Sequence, residues 1–74
     1  MNDFKSGDLI TVKNIYKEIY LIDENFDAAI RITPDDVILV INEIWKSDVM
    51  RYELLLYFDG SFYYGIKDWF ETII

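Results

Sequence analysis

The sequence predicts a mainly all-β protein, on three observations. Its longest apolar runs, "VILVI" from Val37 and "LLLYF" from Leu54, are short, rich in β-branched or aromatic residues and bounded by turn formers. An Asp59-Gly60 pair lies between two strand-like runs, the strongest short-range hairpin cue. Apolar residues alternate with the other parity in "DLITVK" and "MRYELLLYF", the period of a half-buried strand.

A chain of 74 residues has room for one domain, spanning 1–74, and at this size only about 60% of the unfolded surface is buried. Hydrophobic residues make up 53% and aromatics 18%, enough for a thin core. Cysteine and histidine are both absent, which excludes disulfides, thiolate chemistry and the usual zinc ligand sets. The apolar runs fall far short of the ~20 residues that span a bilayer, so they read as buried strands with no membrane partner. "MNDFKSGD" has neither a basic n-region nor an apolar h-region, and the expected location is the cytoplasm. Net charge is −7, from 14 acidic and 7 basic residues. A phosphate backbone is repelled by such a surface, so direct nucleic-acid binding is disfavoured. The acids keep an apolar-rich chain soluble, or they meet a basic partner.

In chain order, Ser6-Gly7 introduces a first strand, Asp8 to Lys13, with Leu9 and Thr11 alternating against Ile10 and Val12. "NIYKEIYLIDENFDAAIRI" follows as a long loop, an irregular hairpin turning at "DENF". "TPDDVILVINEIWKSD" has two readings. Thr33 as N-cap, Pro34 at N1 and two acids in the first turn suit a helix over 34–46, which would make the fold α+β. The β-branched enrichment favours a strand, which would join the next run through a turn at "KSDV".

In "MRYELLLYF" the residues Met50, Tyr52, Leu54 and Leu56 share the core-facing parity. A two-residue type I′ turn would pair Leu56 with Tyr63 and Leu54 with Gly65, leaving Phe62, Tyr64 and Ile66 outside. A type I turn with Gly60 as a bulge would instead pair Tyr57 with Ser61, Leu56 with Phe62 and Leu54 with Tyr64. The bulged turn gathers Tyr52, Leu54, Leu56, Phe62, Tyr64 and Ile66 on one face, and it is the expectation here. Lys67-Asp68 then starts one 3₁₀ turn, with Phe70 inward and Trp69 outward, and Ile73 closes the sheet beside the first strand.

This order of elements resembles an SH3-like barrel. "GIKDWFETI" is similar to the "YIPxNYVxxI" closure of SH3 domains, with Trp69 at the ligand-facing Tyr and Phe70 at the buried Val. "FKSGDLITVK" looks like the "GDLV" start of many small SH3-like proteins, including short accessory proteins of large bacteriophages. The resemblance implies a five-stranded small barrel with a long loop after strand 1 and a 3₁₀ turn before the last strand. The chain lacks the "ALYDY" and "WW" motifs, so proline-rich recognition is not implied.

The expected partner-binding residues are aromatics and acids. Tyr57 and Tyr63 fall on the outer face, Trp69 on the 3₁₀ turn, and Tyr16 and Tyr20 on the long loop beside it. A contiguous aromatic patch marks an interface more often than scattered exposed rings do. Glu18, Asp23, Glu24 and Asp27 surround Tyr16, Tyr20 and Phe26 on this loop, and in SH3-like modules acids at this place attract Lys or Arg. The structural alternative is that the rings fold over the edges of the core and the acids are merely solvated.

Asp35-Asp36 fits turn chemistry better than metal binding, and no calcium-loop signature is present. The serines and threonines lack a histidine base and no glycine-rich phosphate loop exists, so neither an enzyme nor a cofactor is expected. The functional expectation is a non-enzymatic, phage-type module that binds a protein partner or self-associates. The alternatives are an acidic nucleic-acid mimic that inhibits a host DNA- or RNA-binding protein, and a small structural subunit of an assembly such as a virion.

Overall fold

The computed structural model describes residues 4–44 and 52–73. Seven strands form a single curled antiparallel sheet: β1 (Leu9–Val12), β2 (Ile19–Asp23), β3 (Ala29–Ile32), β4 (Ile38–Glu43), β5 (Leu54–Phe58), β6 (Ser61–Gly65) and β7 (Phe70–Thr72). Their spatial order is β3-β2-β6-β5-β4-β1-β7. A 3₁₀ turn, Lys67–Trp69, precedes β7. Among the described residues no helix is long and apolar enough to cross a membrane.

The mainly-β expectation holds, but among the described residues there are seven strands and not five. The difference lies in the long loop after β1, whose alternation is regular enough to pair. Ile19 and Leu21 point into the core while Tyr20 faces water, and Ile19 to Ile22 pair with Ile32 to Ala29. The hairpin β2–β3 turns at residues 24–28, around "DENF", and joins the sheet through Ile22↔Tyr64 and Asp23↔Tyr63.

The α+β alternative fails, because 38–43 is a strand. β4 bonds to β1 and β5 on both sides, and buries Ile38 and Val40 while Leu39 faces outward. A register shift between Val40 and Asn42 absorbs one extra residue there. "TPDD" is a turn. The Asp36 amide donates to the Thr33 carbonyl at 3.0 Å, and the Thr33 amide donates to Asp36 Oδ2 at 2.9 Å. The Thr11 hydroxyl ties this turn to β1, lying 2.8 Å and 2.9 Å from the carbonyls of Pro34 and Asp36. The turn expected at "KSDV", the inward Met50 and the last residues of the helical alternative lie outside the described residues.

The core is Phe4, Ile10, Val12, Ile19, Leu21, Ile32, Ile38, Val40, Leu54, Leu56 and Phe70. Among the described residues no polar or charged side chain is buried.

The bulged hairpin expected at Asp59-Gly60 is overturned. Phe58 pairs with Ser61, Tyr57 with Phe62, Leu56 with Tyr63 and Leu54 with Gly65, which is the two-residue register. Asp59 and Gly60 have φ of 50° and 88°, both positive as a type I′ turn requires. Tyr63 therefore turns toward the core, whereas Phe62 and Tyr64 turn away from it.

Gly65 explains how this register packs. It is buried on the inner face, and a Cβ there would lie 2.9 Å from Leu56 Cδ1 and 3.1 Å from Phe70 Cε2. Leu56 from β5, Phe70 from β7 and Leu21 from β2 close over the place of the missing side chain, so the inner position opposite Leu54 is filled from these strands and not from β6. Phe70 is fully buried as expected, and β7 lies beside β1, with the Ile73 amide donating to the Leu9 carbonyl at 3.0 Å.

Candidate functional site

Two turns stand side by side at one end of the sheet, because the last residue of β2, Asp23, pairs with Tyr63, two residues from the start of β6 at Ser61. Asp23 organises the first turn. Its Oδ1 accepts from the amides of Asp27 at 2.8 Å and Asn25 at 3.2 Å, and its carbonyl accepts from the Phe26 amide at 3.0 Å. This is a side-chain-closed turn of the kind Asp favours. It holds Phe26 at φ 57°, a left-handed conformation that a bulky residue seldom adopts.

The turn conformation sends the Phe26 ring over the sheet's outer face. It stacks on Tyr64 with centroids 5.4 Å apart, and Tyr64 stacks on Tyr52 at 5.9 Å. Offset stacking at these separations is favourable beyond area burial. With Ile44 the three rings line a shallow apolar hollow of about 110 Å³.

On the other flank of the same turn lies a larger cleft of about 440 Å³. Asp23, Glu24 and Asn25 form one wall, Gly60, Ser61, Phe62 and Tyr63 form the other, and Ala28 and Ala29 line the rest. None of these lining residues is basic. Two more acids, Asp27 and Asp59, sit on the same two turns and are exposed. The lining thus combines carboxylates with aromatic side chains, a composition that suits a cationic side chain. Among the described residues no group of three acidic side chains is placed to hold a metal ion.

The eight residues expected from the sequence fall into three places. Asp23, Glu24 and Tyr63 line the cleft, and Tyr57 stands next to it, edge-on to Phe62 at 5.3 Å.

Tyr20 and Glu18 lie on the outward side of the β2–β3 hairpin. The Tyr20 hydroxyl donates to Glu18 Oε2 at 3.3 Å and Arg31 Nε donates to Glu18 Oε1. The Arg31 hydrogen bond holds the Glu18 carboxyl below its ordinary range and raises Arg31 in turn. Glu18 is thus committed within the chain.

Tyr16 and Trp69 are half-buried against the core near the 3₁₀ turn, where the Lys13 amide donates to the Trp69 carbonyl at 2.9 Å. Trp69 packs edge-on against Phe70 at 6.2 Å in place of pointing out. Among the described residues no ring contact joins Tyr16 or Tyr20 to Trp69. No family model, curated protein or solved structure matches this chain.

Sequence reasoning placed Phe26 among the acids of the loop without its stack on Tyr64, and missed Phe62 and Tyr64 on the outer face. The last two follow from the hairpin register, and the signal for it was the Asp-Gly pair read literally as a two-residue turn. Phe26 gave no signal, because a left-handed residue in a hairpin tip is expected to be Gly or Asn.

Proposed function

We propose that this chain is a small, non-enzymatic protein-binding module that takes a basic segment of a partner into the cleft between the two turns. The observation that carries the reading is the composition of the cleft: Asp23 and Glu24 line it together with Phe62 and Tyr63, and no Lys or Arg is among the lining residues. A guanidinium or ammonium group entering there meets a carboxylate and a ring face together. The net charge of −7 adds long-range attraction for a basic segment. We read the order β6-β5-β4-β1-β7 with a 3₁₀ turn before the last strand as similar to an SH3-like layout carrying an added β2–β3 hairpin, a likeness that enters by analogy alone.

The test is titration with a short arginine-rich peptide and its lysine and glutamate counterparts. The basic peptides should bind and weaken by roughly tenfold between low and high salt, and Glu24→Lys should abolish binding. Failure of both basic peptides to bind, or binding untouched by Glu24→Lys, refutes the reading.

A second reading is favoured by the concentration of Asp23, Glu24, Asp27 and Asp59 on two adjacent turns, a spacing of negative charge that a nucleic-acid-binding protein could accept in place of phosphates. Under that reading the chain competes with DNA or RNA for the partner. Charge reversal of Asp23 and Glu24 that left competition intact would remove it.

A further inference from the structure

The sheet ends in two edges, β3 and β7, and the phase of the hydrogen bonds says which backbone groups each edge leaves unused. The Asp23 amide donates to the Ala28 carbonyl at 2.9 Å, which makes Ile22↔Ala29 a non-hydrogen-bonded pair and Leu21↔Ile30 a hydrogen-bonded one. Ile30 and Ile32 therefore direct their backbone groups to β2. The N–H and C=O of Ala29 and of Arg31 point away from β2, and among the described residues nothing pairs with them. The next edge-facing amide, that of Thr33, donates to Asp36 Oδ2 at 2.9 Å, and the Thr33 carbonyl accepts from the Asp36 amide, so the open stretch ends there.

Open edges are commonly guarded by a proline, a bulge or an inward-pointing charge. β3 has none of these. Its four pairs with β2 run in unbroken register, and its inward residues Ile30 and Ile32 are apolar. Its one charge, Arg31, is hydrogen-bonded to Glu18, the residue before β2, and so is held on the side away from the edge. At the β7 edge, by contrast, the Phe70 amide already donates to the Lys67 carbonyl.

The acidic cleft opens onto this unguarded edge, because Ala28 and Ala29, at the start of β3, line it together with Asp23 and Glu24. We infer that β3 is a strand-addition site, along which the partner's basic segment lies as an extended strand with one cationic side chain in the cleft. The inference rests on the cleft reading and adds the backbone and the residue pattern of the segment to it. Unpaired amides and carbonyls at alternate residues match an extended backbone, and carboxylates at the start of the edge select a cation. Antiparallel addition continues the sheet's own pattern, and residues opposite Ala29 and Arg31 would then exchange both of their hydrogen bonds. Opposite Ile30, an apolar residue would cover a half-buried side chain on the inner face. Two residues later, opposite Ala28 and on the same face as Asp23, stands the basic residue. Opposite Arg31 a second cation is disfavoured by like charge. The pattern is an apolar residue, any residue, then Arg or Lys.

The test uses the full chain and a capped peptide, Thr-Val-Thr-Arg-Thr, in which the valine is set for Ile30 and the arginine for the cleft. N-methylation of the threonine on either side of the valine removes a donor aimed at β3 and should weaken binding roughly tenfold or more. N-methylation of the valine, whose amide points away from β3, should change binding by less than about twofold. Hydrogen exchange followed by NMR should show the Ala29 and Arg31 amides gaining protection with the peptide, whereas Ile30 and Ile32 are protected without it. Ala29→Pro removes an edge-facing donor and no β2–β3 hydrogen bond, so it should keep the circular dichroism of the parent and lose the peptide. Binding that Glu24→Lys abolishes but that tolerates all three N-methylations, with no protection at Ala29 and Arg31, overturns the strand-addition inference and leaves the cleft reading standing. So does failure of this peptide where the arginine-rich one binds. If neither peptide binds, the cleft reading is refuted and strand addition with it.

Discussion

Replacing Gly65 with alanine separates the two possible hairpin registers by the sign of its effect. In the observed register Gly65 is on the inner face opposite Leu54, and the added methyl would sit 2.9 Å from Leu56 Cδ1, 3.1 Å from Phe70 Cε2 and 3.4 Å from Leu21 Cδ2. Leu56, Phe70 and Leu21 are all fully buried, so none can swing into solvent to make room. Overpacking of this kind costs about 1–3 kcal/mol. Alanine recovers about 0.5–1 kcal/mol through the less flexible unfolded chain, because Gly65 does not use a positive φ that alanine would strain against. The net loss is about 0.5–2 kcal/mol, which in a domain of this size lowers Tm by roughly 2–15 °C. Thermal melts followed by circular dichroism, with urea titrations for the free energy, measure it. Shortening Leu56 to valine in the Gly65→Ala background should recover part of the loss, a favourable coupling of about 0.5–1 kcal/mol. In the bulged register Gly65 would face water and alanine would stabilise the protein. A Tm equal to or above the parent's therefore refutes the packing account and the register with it.

Two further predictions concern the first turn and its hairpin. At Phe26, φ of 57° favours glycine, so Phe26→Gly should be more stable than Phe26→Ala by about 1 kcal/mol in urea unfolding, although both lose the stack on Tyr64. Equal stabilities would mean that the left-handed conformation is not retained in solution. At Glu18, the Arg31 hydrogen bond lowers the carboxyl titration, so the side-chain NMR midpoint should lie below that of an ordinary glutamate and return to it in Arg31→Met. Because the folded value is depressed, the associated stability is present above the ordinary glutamate range and is lost as pH falls through the folded value. The pair is exposed, and added salt should move the midpoint back up.

Much of the architecture could be read from residue patterns. The alternation of Leu9 and Thr11 against Ile10 and Val12 identified β1 and its core face, and Ile10 and Val12 are indeed buried. β-branching outweighed the helix-start signature at "TPDD" because Val40 and Ile38 have neighbouring strands on both sides to pack between, a tertiary fact that local propensity anticipates only through residue type. The hairpin in the long loop was legible in outline and not in consequence, since nothing local says that β2 will find β6. The register at Asp59-Gly60 was misread for a definite reason. Counting apolar residues per face penalises a glycine pointing inward, but the count treats β6 alone and omits Leu21 and Phe70, which arrive from β2 and β7 to close over that space. Of the candidate site, Asp23, Glu24 and Tyr63 were foreseen as residues and meet at the cleft, while Trp69 and Tyr16 were drawn into the core margin because a thin core takes whatever large side chains are nearby.

The hairpin register also decides what the surface can do. A slip of one residue would exchange the two faces of β6. With a bulge at Gly60, Phe62 and Tyr64 would enter the core. The outer apolar row of Leu9, Leu39 and Tyr57 would then end at Tyr57, and Phe26 would keep only its tilted contact with Tyr52 at 6.3 Å. In the observed register Phe62 extends that row to the strand that borders the cleft, and Tyr64 anchors the ring of Phe26, whose turn carries Asp23 and Glu24. The glycine that leaves room for Leu56, Phe70 and Leu21 inside is thus the same feature that allows aromatic side chains to be placed outside. A chain with so small a core keeps its surplus rings on one face, where neighbouring rings shield them from water.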